Sequence, residues 1–470
     1  MNATTLRQSL TLFLLILLGV PNPLRAEDRP LMGMAAGVQV LTLEQALAIA
    51  DDQNRNIQKA REYSRWVYGK YLEERAQALP QLTLVGTQRR DRSRQDQDGP
   101  VSLSPAFLFV PGITRTTTDT TGLGLNLTQP LFTWGKVSAA VRAAKVALSS
   151  ADQQLRLFRQ ATRRDVTSAF HDILLAKELH AIALQTLDQR ERHLDEARKK
   201  FSLGTATDYD VLAADVAVKN ARPEVIRSAN SIRLTRERLQ FLLGKDAGQV
   251  DVVGDLRAFP APVPEYDALL AVALRHRPEI LNQEITLAIQ EELVTIAKAG
   301  DKPTLSFSGS YGRTFSSTDV SFSSSYGSFT STEPYDNDST DWAAGLILSF
   351  PLFDGFRTRG QVAQAKSNLE SGRIDMGRLK ESISIEAQMA LDQVHEAMEI
   401  LKALEGTAQQ AQRLLTMAEK GFEYGVKTRL DVDDAQLNLS AARGNLARAS
   451  RDYLVALTNL RWVQGILGEE

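Results

Sequence analysis

Gln129-Pro130-Leu131-Phe132 returns as Phe350-Pro351-Leu352-Phe353, about 220 residues further along the chain, and this recurrence governs the reading of the whole sequence. The same interval relates Ala197-Arg-Lys-Lys-Phe201-Ser-Leu-Gly204, with Thr207 and Asp210-Val211 behind it, to Ala418-Glu-Lys-Gly-Phe422-Glu-Tyr-Gly425, with Thr428 and Asp431-Val432 behind it. Upstream, Leu79-Pro80-Gln-Leu82-Thr-Leu84 answers Lys302-Pro303-Thr-Leu305-Ser-Phe307. Solenoid units run to roughly 20–50 residues, so two copies at this period mean one structural unit with internal pseudo-twofold symmetry. A site found in one copy is therefore sought in the other.

Around each Pro-Leu-Phe the hydrophobic period changes. Before Pro130, Leu123, Leu125 and Leu127 alternate with Gly124, Asn126 and Thr128; before Pro351, Ala344, Leu346, Leu348 and Phe350 alternate likewise. That is the period of a strand. After Pro130, Val137, Val141, Ala144, Leu148, Ala151, Leu155 and Phe158 step by fours and threes, the seam of a coiled coil. The pattern predicts one helix to Phe201, and at 1.5 Å per residue roughly 100 Å of rod, which no globular core encloses.

Each half then reads helix, strand, loop, strand, very long helix, helix. The first half gives helix over Leu43–Ala78 with Thr42 and Gln45 as a capping box. Strands follow over Gln81–Arg89 and Gly122–Thr128, around a polar loop at 90–121, and helices over 137–201 and Tyr209–Leu243. The second half gives helix over Leu269–Ala299, strands over Thr304–Arg313 and Trp342–Phe350 around a loop at 314–341, and helices over Phe356–Phe422 and Leu430–Leu467. The Ser/Tyr-rich stretch at 321–332 reads as an extended outer loop. Domain boundaries follow: 1–26 an export signal, 27–243 the first repeat, 244–264 a linker, 265–470 the second repeat. The signal rests on Arg7, the apolar run Leu10–Val20, and Pro21 and Pro23 before Ala26; that run is too short for a membrane span, which needs about 20 apolar residues.

Four strands cannot close a barrel alone, since about eight are needed to fill one. An open sheet with one oily face would also leave edges that invite pairing. Three chains together would supply twelve strands and a matching tube of helices. The opposite face is small and polar (Thr83, Gly124, Asn126, Ser306, Ser308, Ser310), as suits a water-filled lumen. Pro80, Pro130, Pro303 and Pro351 are expected at the four strand–helix junctions, where a missing N–H strands no ladder partner.

Composition excludes other classes. The formal charge is −2, and removing Arg7 and Arg25 with the signal makes it more negative, which gives no footing for nucleic acid. There is no cysteine, hence no disulfide, thiolate metal site, cysteine nucleophile or lipid anchor on cysteine. The five histidines are scattered without ligand spacing, no Gly-rich phosphate loop follows a strand, and no catalytic constellation or cofactor site is legible.

With the repeat, the Pro-Leu-Phe pairs, Arg277-Pro278-Glu279-Ile280, and Phe422-x-x-Gly425-x-x-Thr428-x-x-Asp431-Val432-x-x-Ala435-Gln436, the mature chain resembles the TolC-type outer-membrane efflux proteins, or outer membrane factors. The resemblance implies an α plus β membrane protein: a homotrimer with a twelve-stranded barrel in the outer membrane, continuous with a long periplasmic α-helical barrel closed at its tip by coiled coils. Its implied role is a passive exit duct of a tripartite efflux or type I secretion system, serving an inner-membrane pump of RND or ABC type through a periplasmic adaptor (membrane fusion) protein. In two places the chain departs from the pattern: Asn54-Arg55 stands where the second copy has Arg277-Pro278, and Phe422 lacks a hydroxyl found there in relatives.

The motif match carries over candidate residues. Asp431 and Asp434, three apart on one helical face, fall where carboxylates line the periplasmic aperture, and threefold symmetry would make rings of them. Acids at a helix start also simply complement its dipole. Lys427 matches a basic gate residue, with Asp208 and Asp210 as partners across neighbouring coils, a latch worth about 0–1 kcal/mol if exposed. Gly204 and Gly425 are expected at left-handed positions in the tip turns. The competing class is an exported coiled-coil structural or adhesion protein without a pore, which has no use for four alternating strands at symmetric places.

Overall fold

The computed structural model describes residues 39–97, 100–103, 106–109, 112–244, 250–257, 261–324, 327–330 and 335–468; the export signal expected at 1–26 lies outside them. The first repeat opens with a short strand β1 (Gln39–Leu41) and two helices, α1 (Leu43–Gln53) and α2 (Arg55–Ala76). Then come β2 (Gln81–Gln97), a small hairpin of β3 (Pro100–Leu103) and β4 (Ala106–Phe109), and β5 (Gly112–Phe132). Helices α3 (Lys136–Ser202) and α4 (Asp208–Leu243) complete it, and β6 (Val250–Val252) leads across. The second repeat has α5 (Tyr266–His276), α6 (Pro278–Lys298), β7 (Thr304–Ser324), β8 (Gly327–Thr330) and β9 (Tyr335–Ser349). It ends in α7 (Arg357–Leu404), α8 (Thr407–Glu423) and α9 (Arg429–Val463).

Several expectations are corrected here. The single helices over Leu43–Ala78 and Leu269–Ala299 are each two: the second breaks at Arg277, ahead of Pro278, and the first at Asn54, whose φ −61°, ψ 128° nearly repeats the φ −65°, ψ 127° of Arg277. Proline enforces the second break; in the first, Asn54 substitutes for it. Only 4 % exposed, its Oδ1 accepts from the N–H groups of Asn56 and Ile57 and its Nδ2 donates to the Leu242 carbonyl at 2.6 Å. The second long helix, expected unbroken to Phe422, divides at Glu405–Gly406, with Gly406 at φ 75°. Its counterpart α3 runs unbroken for 67 residues.

The polar loops at 90–121 and 314–341 largely continue the strands. β2 pairs antiparallel with β5 from Gln81↔Thr128 to Gln97↔Gly112, and β7 pairs with β9 from Thr304↔Ser349 to Thr318↔Tyr335. Cross-strand partners account for this: Arg90 grips Asp119 through Nε and Nη2 at 2.5 and 2.6 Å, Arg313 grips Asp338, and Thr118 meets Thr318 at 3.2 Å. The described part of the linker expected at 244–264 also carries structure. β6 lies parallel to β1, and Leu41, Val250 and Val252 enter a core with Phe170, Ile173, Leu239 and Leu243. Lys177 donates to the Val252 carbonyl at 2.6 Å, and Ala261 N–H donates to the Tyr453 hydroxyl at 2.8 Å.

Of the four prolines, Pro80 and Pro303 directly precede β2 and β7, and Pro351 follows β9. Pro130 lies inside β5 rather than at its end, opposite Ser306, where a shift of register between Pro130 and Phe132 absorbs the missing donor.

The long strands form one sheet in the order β2-β5-β7-β9, with β8 appended to β7. Register assembles an apolar face across all four: Leu82 opposes Leu127, Leu84 opposes Leu125, Leu125 opposes Tyr311, and Tyr311 opposes Trp342, while Leu305 and Phe307 face Leu348 and Leu346. Leu82, Leu84, Leu125, Tyr311, Trp342, Leu346 and Leu348 are exposed and Leu127, Leu305 and Phe307 half-buried, a contiguous apolar surface of the kind that marks a membrane or protein interface. The other face brings Thr83, Asn126 and Ser310 together.

Candidate functional site

The sheet passes into the long helices through two corners of the same construction. Trp134 (φ 50°) and Gly135 (φ 85°) are consecutive left-handed residues before α3; Gly355 (φ 66°) and Phe356 (φ 65°) are the same before α7. Glycine takes this conformation without cost, whereas a bulky residue there is an outlier held by its surroundings. Each exposed aromatic packs edge-on against the Phe of the Pro-Leu-Phe before it, Trp134 on Phe132 at 5.2 Å and Phe356 on Phe353 at 5.6 Å.

At the far end of the helices, two tip turns share one chemistry. α3 ends at Ser202 and Gly204 turns the chain at φ 74°; α8 ends at Glu423 and Gly425 turns it at φ 72°. In each, the residue after glycine closes the turn: Thr205 N–H donates to Lys200 O, and Val426 N–H to Gly421 O. Thr207 and Thr428 then cap the next helix. Asp210 Oδ2 accepts from Thr207 N–H at 2.8 Å and from its hydroxyl at 2.7 Å; Asp431 Oδ2 accepts from Thr428 N–H and hydroxyl, both at 2.8 Å. These hydrogen bonds favour the ionised form and hold both carboxyls below their ordinary value of 3.8.

The candidate residues separate into distinct surroundings. Asp431 is committed to its capping box and also meets Lys427, whose Nζ lies 3.3 Å from Oδ1. Within the chain, then, the partner of Lys427 is Asp431 and neither Asp208 nor Asp210. Asp433 pairs with Arg429 at 3.5 Å. Asp434 is exposed and has no ion-pair partner among the described residues, and Asp208 is equally exposed.

Three contributors escaped the sequence reading. Gly421 makes room for Lys427, because a Cβ there would meet Lys427 Cγ at 2.5 Å. Phe422 presents its ring to Lys200 Nζ at 5.2 Å, a contact that needs no hydroxyl and ties the two tips together. Above the tip a polar layer crosses the coil between α3, α8 and α9, around a cavity of 390 Å³. There Arg443 donates to Gln185 at 2.7 Å and Gln412 at 2.8 Å, Gln189 donates to Glu419 at 2.6 Å, and Thr186 meets Ser440 at 3.0 Å. Gln residues in a coil look like ordinary surface in one dimension, which is why this layer was not legible in the sequence. The described residues hold no cluster of His, Asp and Glu able to take a metal.

The sequence profile described as "Outer membrane efflux protein" matches residues 43–245 and 269–465, both repeats. The chain belongs to that family. The two matched segments flank the connection carrying β6. This outer membrane efflux protein is 24% identical over 403 residues to the outer membrane protein TolC of Vibrio cholerae serotype O1, covering 83% of this chain and 89% of that one. It is 25% identical over 349 residues to the alkaline protease secretion protein AprF of Pseudomonas aeruginosa, covering 73% and 69%. Its fold is that of the Campylobacter jejuni CmeC outer membrane channel, with a TM-score of 0.73 at 16% identity over 90% of this chain and 85% of that one. The efflux protein thus resides in the outer membrane and serves transport, in a family of channels, and its helices form the periplasmic part.

Proposed function

We propose that three copies of this efflux protein close their sheets into a twelve-stranded barrel and form a passive exit duct through the outer membrane. The observation that carries this is the sheet itself. Its apolar face lies open on all four strands, and β2 and β9 each leave one edge unpaired among the described residues. Joining β9 of one copy to β2 of the next satisfies the edges, turns the apolar face to lipid and encloses the Thr/Ser/Gly face. The helices continue the tube into the periplasm, where a periplasmic adaptor joins the duct to an inner-membrane pump of RND or ABC type.

In this reading the tip turns are the resting closure. Asp434, uncommitted within the chain, would face the axis and form the acidic ring, with Asp431 adding charge from its capping box. Lys427 would reach Asp208 or Asp210 of the adjacent coil on leaving Asp431. Recovery from outer-membrane fractions as a heat-modifiable trimer that conducts in planar bilayers is the expected result; a non-conducting monomer from the soluble periplasm would sink the proposal.

A further inference from the structure

On the same face as the apolar side chains, but beyond them, β2 and β5 carry a cluster of arginines. Register sets Arg94 directly opposite Arg115, and Arg92, opposite Thr117, lies on that face one alternation away. Direct cross-strand partners of like charge destabilise a sheet. Among the described residues little relieves this pair: Arg94 meets Asp96, at 3.3 Å and on its own strand, while Arg92 and Arg115 are exposed and pair with no described carboxylate. The next pair along shows the contrast, for Arg90 is fully matched by Asp119. Among the described residues the other acid at this height is Asp319, opposite Thr117 on β7. Nearer the helices the face is balanced, with Arg90 on Asp119, Arg313 on Asp338, and Asp336 opposite Ser317. Beyond the Arg90–Asp119 pair, Arg92, Arg94 and Arg115 stand against Asp96 and Asp319, a local cationic excess.

The height of this cluster is informative. Arg92 and Arg94 follow Leu84 by eight and ten residues. At about 3.3 Å per residue that is roughly 26–33 Å along the strand, and barrel tilt reduces it to about 20–25 Å of depth. A lipid-facing apolar band is about 25 Å tall, so the arginines emerge where hydrocarbon ends, on the side away from the helices. We propose that Arg92, Arg94 and Arg115 form a binding site for the phosphate groups of an anionic phosphorylated glycolipid in the outer leaflet. Phosphate is the ligand that converts the repulsive Arg94–Arg115 pair into a bridged one, since guanidinium forks bind its oxygens bidentately. The site rests on the barrel reading above, because only that reading turns this face to lipid.

The test titrates the full-length protein, in neutral detergent, with bisphosphorylated lipid A, with the same lipid dephosphorylated, and with inorganic phosphate, following thermal loss of the heat-modifiable oligomer. The phosphorylated lipid should raise Tm in the wild type and the dephosphorylated lipid should not. At about 1 kcal/mol per basic residue near an anionic surface, the triple variant Arg92→Gln/Arg94→Gln/Arg115→Gln should need on the order of a hundredfold more lipid for the same shift. Arg115→Gln alone should reverse sign: more stable than wild type in neutral detergent, where repulsion is relieved, and less stabilised by the phosphorylated lipid. Equal responses of wild type and triple variant would overturn the site, as would an equal shift with inorganic phosphate, which would mark a free-anion site instead. A wild type that forms no conducting oligomer would overturn the barrel itself, and this site with it.

Discussion

Asp431 and Asp434 are three residues apart and differ in what holds them. Asp431 is anchored by Thr428, whereas Asp434 is exposed with no ion-pair partner among the described residues, and it is Asp434 that the proposal turns to the axis. Asp434→Asn should therefore lower cation preference and weaken block by divalent cations added on the periplasmic side, with the tip fold intact. Thr428→Ala should do the reverse, costing about 1 kcal/mol of cap with little change in selectivity. Bilayer reversal potentials beside thermal melts separate the two, and unchanged selectivity in Asp434→Asn would place the ring elsewhere. The sequence reading takes these acids for aperture, latch or helix-start charges and leaves their capping role unread, although Thr-x-x-Asp stands at Thr207/Asp210 and again at Thr428/Asp431. What one dimension could not give is which nearby charge Lys427 meets, because i,i+4 partners and partners on another helix look alike until the turn is built. Acidification provides a second check. Asp210 and Asp431 titrate below 3.8 in the folded tip, so their stabilisation is complete above the unfolded value and is lost as pH falls through the folded one. Hydrogen-exchange protection of the first turns of α4 and α9 should hold from neutrality down to about pH 4 and fail below it; loss near pH 6 would contradict this.

Among elements, the long strands and helices were readable from period alone, and their ends were not. Alternation of Leu with Gly, Asn and Thr marked the membrane-side parts of β2 and β5, but Arg90–Asp119 and Arg313–Asp338 extend the sheet by pairing charges across strands distant in sequence. The break at Asn54 was hidden because asparagine both ends α1 and caps α2, work that Pro278 advertises openly in the second copy. The face assignment makes a sharp comparison. Arg in place of Leu346 or Leu348, on the apolar face, should impair insertion by about 2–4 kcal/mol near the midplane. Asn126→Arg, on the Thr83/Ser310 face, should be milder. Yields of folded oligomer from urea into vesicles measure both, and equal losses would show the faces to be exchanged.

Over the whole molecule, the internal repeat was the most legible feature, and it sets the central claim. In the proposed barrel each chain supplies a four-stranded arc whose two outer edges are unpaired among the described residues, and closure would take edges from other copies. The native chain has no cysteine, so introduced thiols report on this contact without background. Thr83→Cys on β2 can be combined in turn with Ala343→Cys, Gly345→Cys and Ile347→Cys on β9, all on the same face as Thr83. Oxidation in intact outer membranes, followed by denaturing electrophoresis without reductant, is the most direct measurement. The account predicts that at least one pair yields a covalent ladder of monomer, dimer and trimer that stops at the trimer, with the closed ring accumulating. A ladder running past three chains, or an absence of crosslinks at every pair, would contradict it.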